Sequence, residues 1–226
     1  MDKIVKLNNQ TAGRDKLARL IQYASRFAWY YIQRNKSNQK SVDTLKSLEF
    51  TFSTFRKLLR LGRFTESLYA SLNAMNYPSL IVRITVPLSK ISNAIFLLCD
   101  HLLWATRVGL ANLNTERWSN MANRYWLYSI IMNLIRDIYE INHILKTHQR
   151  KLSSRTMTRK NSMLALAEQH KDVVIDTLKN SCDVFIPLTA LGYTSLSPGI
   201  IGFLGVVSSL AGIFPLLDPM AKLTPS

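Results

Sequence analysis

Few residues in this chain are spaced for catalysis. Glu140 and His143 form a single Glu-x-x-His on what would be one helix face. A carboxylate-bridged metal site needs a second such pair and two more glutamates on facing helices. The sequence offers neither, so no metal and no other cofactor is expected. Asp100-His101 reads as a polar contact between helices rather than a catalytic dyad. No glycine-rich phosphate loop follows a strand, and no nucleophile elbow is present. Cys99 and Cys182 stand far apart and read as reduced thiols. No enzyme is expected.

The chemistry that the spacing does suggest concerns lipid. Leu45, Leu48, Phe52, Phe55 and Leu59 form one helical stripe, flanked by Leu58, and Arg56, Arg60 and Arg63 form a second stripe beside it. With Lys57 there are four basic residues between Phe50 and Phe64 and no acidic one. Such a helix can lie in the plane of a membrane. Leu48, Phe52, Phe55, Leu58 and Leu59 would enter the acyl boundary, with Arg56, Lys57, Arg60 and Arg63 on the phosphates of anionic lipids. Each basic residue near an anionic surface contributes about 1 kcal/mol, so the four contribute roughly 4 kcal/mol. Inserted into one leaflet, the helix acts as a wedge. The whole chain is basic, with 29 Lys+Arg against 14 Asp+Glu and a net charge of +15 in 226 residues. That field also suits nucleic acid, but no nucleic-acid motif is present, and none is expected as a partner.

The elements that must position these residues are helical. Apolar residues recur at helical spacing and strand signals are scarce. The expected fold class is all-α: a helical membrane protein with N-terminal amphipathic helices and a glycine-rich C-terminal transmembrane segment. Residues 1–78 read as a basic amphipathic helical region for oligomerisation and membrane remodelling. Residues 79–145 read as long apolar helices, partly membrane-embedded, residues 146–161 as a basic linker, and residues 162–183 as one more helix. Within residues 80–110, Arg83, Lys90, Asp100 and Arg107 suit helix pairing better than the lining of a water path.

The last region, 184–218, reads as the membrane anchor. From Val184 to Leu217 no side chain is charged, and the 19 residues from Gly199 to Leu217 are close to the length that crosses a hydrocarbon core of about 30 Å. Glycines at 199, 202, 205 and 212 are costly in a soluble helix but common where membrane helices pack closely. The N-terminus has no apolar core of a cleaved secretory signal.

Several segments together resemble one family, the peroxin-11 proteins of the peroxisomal membrane. They are Gly13-Arg14-Asp15-Lys16-Leu17, Arg56-Lys57-Leu58-Leu59-Arg60-Leu61-Gly62, Cys99-Asp100-His101-Leu102-Leu103-Trp104, and Ser129-Ile130-Ile131-Met132-Asn133-Leu134 followed by Arg136-Asp137. Most telling is Cys182-Asp183-Val184-Phe185-Ile186-Pro187-Leu188 with Pro198-Gly199-Ile200-Ile201-Gly202. The form most similar is the animal beta-type. The resemblance implies an integral peroxisomal membrane protein that remodels and elongates the membrane before fission. It implies homo-oligomers, recruitment of a dynamin-like GTPase and its membrane adaptors, and insertion by the peroxin-19 import receptor. The alternative is a peroxisomal membrane channel for small solutes.

Overall fold

A computed structural model describes residues 2–35, 39–152, 168–218 and 223. Among these there is no strand, as the helical periodicity predicts. Helices α1 (Asp2–Asn9) and α2 (Thr11–Arg34) open the chain, followed by α3 (Gln39–Leu59) and α4 (Arg63–Asn73). Helices α5 (Leu80–Arg107) and α6 (Thr115–Leu152) are the longest. Helices α7 (Lys171–Asp183), α8 (Phe185–Ala190) and α9 (Pro198–Leu217) complete the chain.

Local chemistry fixes the joints. Gly62, at φ +78°, turns the chain between α3 and α4, a conformation that L side chains resist. Gly109 does the same after α5, at φ +79°. At the start of α9, Ser197 caps the helix by accepting from the Ile200 backbone N–H at 3.4 Å, and Pro198 occupies the first turn, where its missing N–H costs nothing.

Two antiparallel pairs build the bundle. In the first, α2 runs against α3, with Asp15 opposite Arg60 and Trp29 opposite Glu49. In the second, α5 runs against α6. Ser89 donates to the Asn133 Oδ1 at 2.7 Å, the Phe96 and Trp126 rings stack at 5.7 Å, and Cys99 and Leu103 pack on Ala122. Helix α9 then lies antiparallel along α2. A Cβ on Gly199, Gly202 or Gly205 would collide with Tyr30, Phe27 or Tyr23 in turn. The glycines are there because the two helices touch.

Some boundaries differ from the sequence reading. Residues 146–152 continue α6 as helix instead of starting a linker, and the rest of that linker lies outside the described residues. The helix expected from residue 162 is described from Lys171, and 162–167 also lie outside.

Buried charges and exposed apolar rows occur together in this bundle. Asp15, Arg19, Asp100, Asp137 and Asp183 are buried. Leu80, Ile84, Leu88, Ile91 and Leu98 form an exposed stripe along α5, and Ile200, Phe203, Leu210 and Phe214 are exposed along α9. Both helices are long and apolar enough to cross a membrane. Contiguous apolar surface of this kind marks an interaction with another apolar phase.

Candidate functional site

Helix α3 carries most of the side chains expected to meet lipid, with Arg60 in the turn after it and Arg63 opening α4, and the structure divides them between two surroundings. Leu48, Phe55 and Leu58 are exposed along one edge, with Phe52 and Leu59 half-buried beside them. Phe52 and Phe55 meet edge to face at 6.5 Å. The cations point the other way, toward the bundle. Arg56 donates from Nε to Asp15 Oδ1 at 3.1 Å and from Nη1 to Gln22 Oε1 at 2.7 Å. Arg60 donates to the same Asp15 oxygen at 3.0 Å and to Asp100 Oδ2 at 3.2 Å, while Lys57 pairs with Asp100. Arg63 is more open, 3.9 Å from Asp15 and 3.8 Å from Glu66.

In this conformation, therefore, Arg56, Lys57 and Arg60 face carboxylates within the bundle, where the sequence reading had faced them toward phosphates. The reason is physical. Two adjacent stripes on one helix do not say which stripe the bundle covers, and the carboxylates that decide it lie about forty residues away on α2 and α5. Asp15 and Asp100 clamp the end of α3 from two sides, and His101 Nε2 lies 2.7 Å from the Arg60 carbonyl.

Inward of this clamp lies a cavity of about 890 Å³ between α2, α3, α5, α6 and α7. Its far wall carries a second charged cluster. Arg19 on α2 pairs with Asp183 on α7, its Nη1 3.2 Å from Oδ2. Arg136 on α6 pairs with Asp137 at 2.6 Å and with Asp176, which also receives Lys179 at 2.5 Å. Asn180 donates to Asp137 Oδ2 at 2.7 Å. Arg19 and Arg60 lie over the Trp126 and Phe96 rings, each at 5.8 Å.

The charges act on one another strongly here. Burial pushes the Asp15 carboxyl up, but Arg60 and Arg56 outweigh it and hold Asp15 well below the usual carboxylate range. Asp176 is held down to about 2; burial opposes this, and Lys179 and Arg136 prevail. Burial pushes Asp137 up, and the neighbouring Asp176 adds to the rise. Burial, with Arg19 and Lys179 close by, pushes the Lys16 amine down to about 7.

The other residues picked out by spacing have separate partners. Asp100 and His101 turn to different groups and form no dyad. His143 stacks on Tyr139 at 6.3 Å, and Glu140 is buried. Cys99 and Cys182 are buried and free. No cluster of metal-ligating side chains occurs among the described residues. Of the four charges in the apolar segment, Arg83 is exposed, Asp100 is clamped, and Lys90 and Arg107 border the cavity. Sequence reasoning missed Asp15, Lys16, Arg19 and Asp183 as one site. The available signal was a lone acid on the basic α2 and another at the end of α7.

Comparison with known proteins gives a consistent answer. The profile of peroxisomal biogenesis factor 11 (PEX11) matches residues 1–217. The chain is similar to peroxisomal membrane protein 11A of Bos taurus, 34% identical over 99% of both chains, and to that of Homo sapiens, 33% identical over 99% of both. It is also 30% identical to peroxisomal membrane protein 11B of Homo sapiens over the full length of both. The likeness expected for the beta-type is thus shared with the 11A form. No solved structure matches.

Proposed function

The chain belongs to the peroxisomal biogenesis factor 11 family of peroxisomal membrane proteins, and on that footing we propose that it remodels and elongates the peroxisomal membrane ahead of fission. The family's role lies in peroxisome biogenesis. The finer step is insertion of α3 into the outer layer of an anionic membrane. The observation that carries this reading is the exposed ridge of Leu48, Phe55 and Leu58, on a helix whose opposite face is held by charge. Helices α5 and α9 cross the bilayer and keep α3 at its surface.

The cations take part by changing partners. As α3 rolls into the headgroups, Arg56, Lys57, Arg60 and Arg63 exchange Asp15 and Asp100 for lipid phosphates. The phosphates replace the carboxylates as charge-assisted acceptors, and insertion of the apolar ridge offsets the cost of leaving Asp15 and Asp100 without their cations. Homo-oligomers, a dynamin-like GTPase with its membrane adaptors, and the peroxin-19 import receptor are the partners this role calls for.

The test is tubulation of anionic proteoliposomes by the full chain. Changing Leu48, Phe55 and Leu58 together to Gln removes the ridge and leaves the ion pairs alone, so tubulation should cease with the fold intact. Tubules of unchanged number and width would sink the wedge. The charged cavity favours a second reading, a channel for small solutes. A channel requires ion currents across a planar bilayer that the ridge variant leaves unchanged.

A further inference from the structure

The interior cavity carries a charge imbalance that its own side chains do not resolve. Eleven cationic side chains border it against four carboxylates, Asp15, Asp100, Asp176 and Asp183. Glu49, Glu66 and Asp137 neutralise Arg26, Arg63 and Arg136 from behind the wall. With those three credited and the exposed Lys90 and Arg107 set aside, two positive charges remain over. Each lining carboxylate except Asp183 is already divided between at least two cations. Uncompensated charge away from bulk water is costly and draws in a counter-charge.

Two groups mark where that counter-charge belongs. Among the described residues the Lys16 amine makes no hydrogen bond and no ion pair, although it stands beside Arg19 and Lys179. Nε of Arg19 is buried without an acceptor. Arg19 is also an electrostatic neighbour of Arg56 and Arg60, so both halves of the cavity converge on one volume. The stacked Phe96 and Trp126 rings hold the Arg60 and Arg19 guanidinium planes from one side. Arg19 gives both Nη groups to Asp183, and Arg60 gives Nε and Nη1 to Asp15 and Asp100, so a further anion meets their remaining N–H groups, held in direction by these contacts.

We propose that this cavity binds a phosphate-type anion of at least two negative charges, held between Lys16, Arg19, Lys179, Arg56 and Arg60. A surplus of two charges suits a compact divalent oxyanion better than a single carboxylate. The volume of about 890 Å³ accepts more than one phosphate group. The anion is either the phosphomonoester headgroup of a lipid or a soluble di- or polyphosphate, and the two share this chemistry. The site shares Arg56 and Arg60 with the wedge but does not depend on it, because Lys16, Arg19 and Lys179 have no part in the wedge.

The experiment is calorimetric titration of the full-length protein in detergent micelles with sodium diphosphate, against sodium chloride at equal ionic strength. Saturable binding of one anion is expected from diphosphate and none from chloride. Lys16→Met should weaken diphosphate binding by about tenfold or more, the loss of one charge-assisted contact. Lys16 leaves no partner orphaned when removed, so the melting temperature of the anion-free variant should equal or exceed that of the parent. That separates lost binding from lost folding. The ridge variant should bind diphosphate as the parent does. If tubulation fails throughout while diphosphate still binds, the wedge falls alone. In nanodiscs, displacement of diphosphate by phosphatidylinositol phosphate assigns the site to a lipid headgroup, and its absence assigns it to a soluble anion. Diphosphate heats no greater than those of chloride, or parental affinity in Lys16→Met, would overturn the proposal.

Discussion

Asp15 is the most informative single residue to remove. One of its oxygens receives both Arg56, at 3.1 Å, and Arg60, at 3.0 Å. Asp15→Ala leaves Arg60 with Asp100 but leaves Arg56 with only the neutral amide of Gln22. Breaking a buried pair from one side costs about 3–5 kcal/mol, because the orphaned charge stays desolvated. For a chain of this size that corresponds to a fall of roughly 6–20 °C in melting temperature. The assay is thermal unfolding in detergent micelles of the parent, Asp15→Ala, Arg56→Met, and the two changes together. If burial of an unpaired guanidinium is the cause, the double variant recovers roughly 1–3 kcal/mol relative to the sum of the single changes. Acid gives an independent check. The folded-state pKa of Asp15 lies below its unfolded value, so its stabilisation is complete above the ordinary carboxylate range and is lost as pH falls toward the folded-state value. Asp15→Ala should therefore lose less stability on acidification than the parent. A variant that melts within a degree of the parent at pH 7, or a double variant whose loss equals the sum of the single losses, would refute the clamp.

Further outcomes can be measured in the same way. Leu48, Phe55 and Leu58 are 37%, 43% and 42% exposed. Sinking the exposed part of three such side chains into acyl chains is worth about 2–4 kcal/mol, so in anionic proteoliposomes the Gln triple variant should shift the insertion equilibrium of α3 by roughly thirty- to several-hundred-fold, read as the aqueous labelling rate of a cysteine placed at Thr51. At the α2–α9 contact, Gly205→Leu drives a side chain into the Tyr23 ring and should separate the helices. Gly212→Ala meets only the flexible end of Lys16, at 3.0 Å, and should be tolerated. Cysteine cross-linking between α2 and α9 distinguishes the two, and equal yields would contradict the packing. Arg136→Leu leaves Asp137 and Asp176 without their shared guanidinium. Asp176 keeps Lys179, but Asp137 loses the main group holding its raised pKa down and should rise further, so the variant should gain more stability than the parent as pH falls from 7 to 5; an unchanged pH dependence would count against it.

The sequence made the helices easy to find and their relative facing hard to find. Gly62, Gly109 and Ser197-Pro198 mark boundaries through local backbone chemistry, which a sequence carries in full. The apolar rows of α5 and α9 are likewise local patterns. The direction of the Arg56–Arg60 stripe is not local. It depends on Asp15 and Asp100, which are distant in sequence and become neighbours only when α2 and α5 flank α3. The glycines of α9 announced a close helix contact, but that the contact is α2 depends on where Tyr23, Phe27 and Tyr30 come to rest. The cavity was least legible, since Lys16, Arg19, Arg136 and Lys179 each read as an ordinary surface cation until the bundle encloses them.

The contact between α2 and α9 joins residues 16–30 to residues 199–212. The earliest helices to leave the ribosome therefore wait for the latest before the bundle can close. Throughout that interval Tyr23, Phe27 and Tyr30 lack their glycine counterface, and Arg19 lacks Asp183, which is also made late. A nascent chain of this protein holds open apolar and charged surfaces until synthesis has passed residue 212. Closure of the bundle is thereby tied to the synthesis of α9, and a truncation that removes α9 leaves α2 without its packing partner.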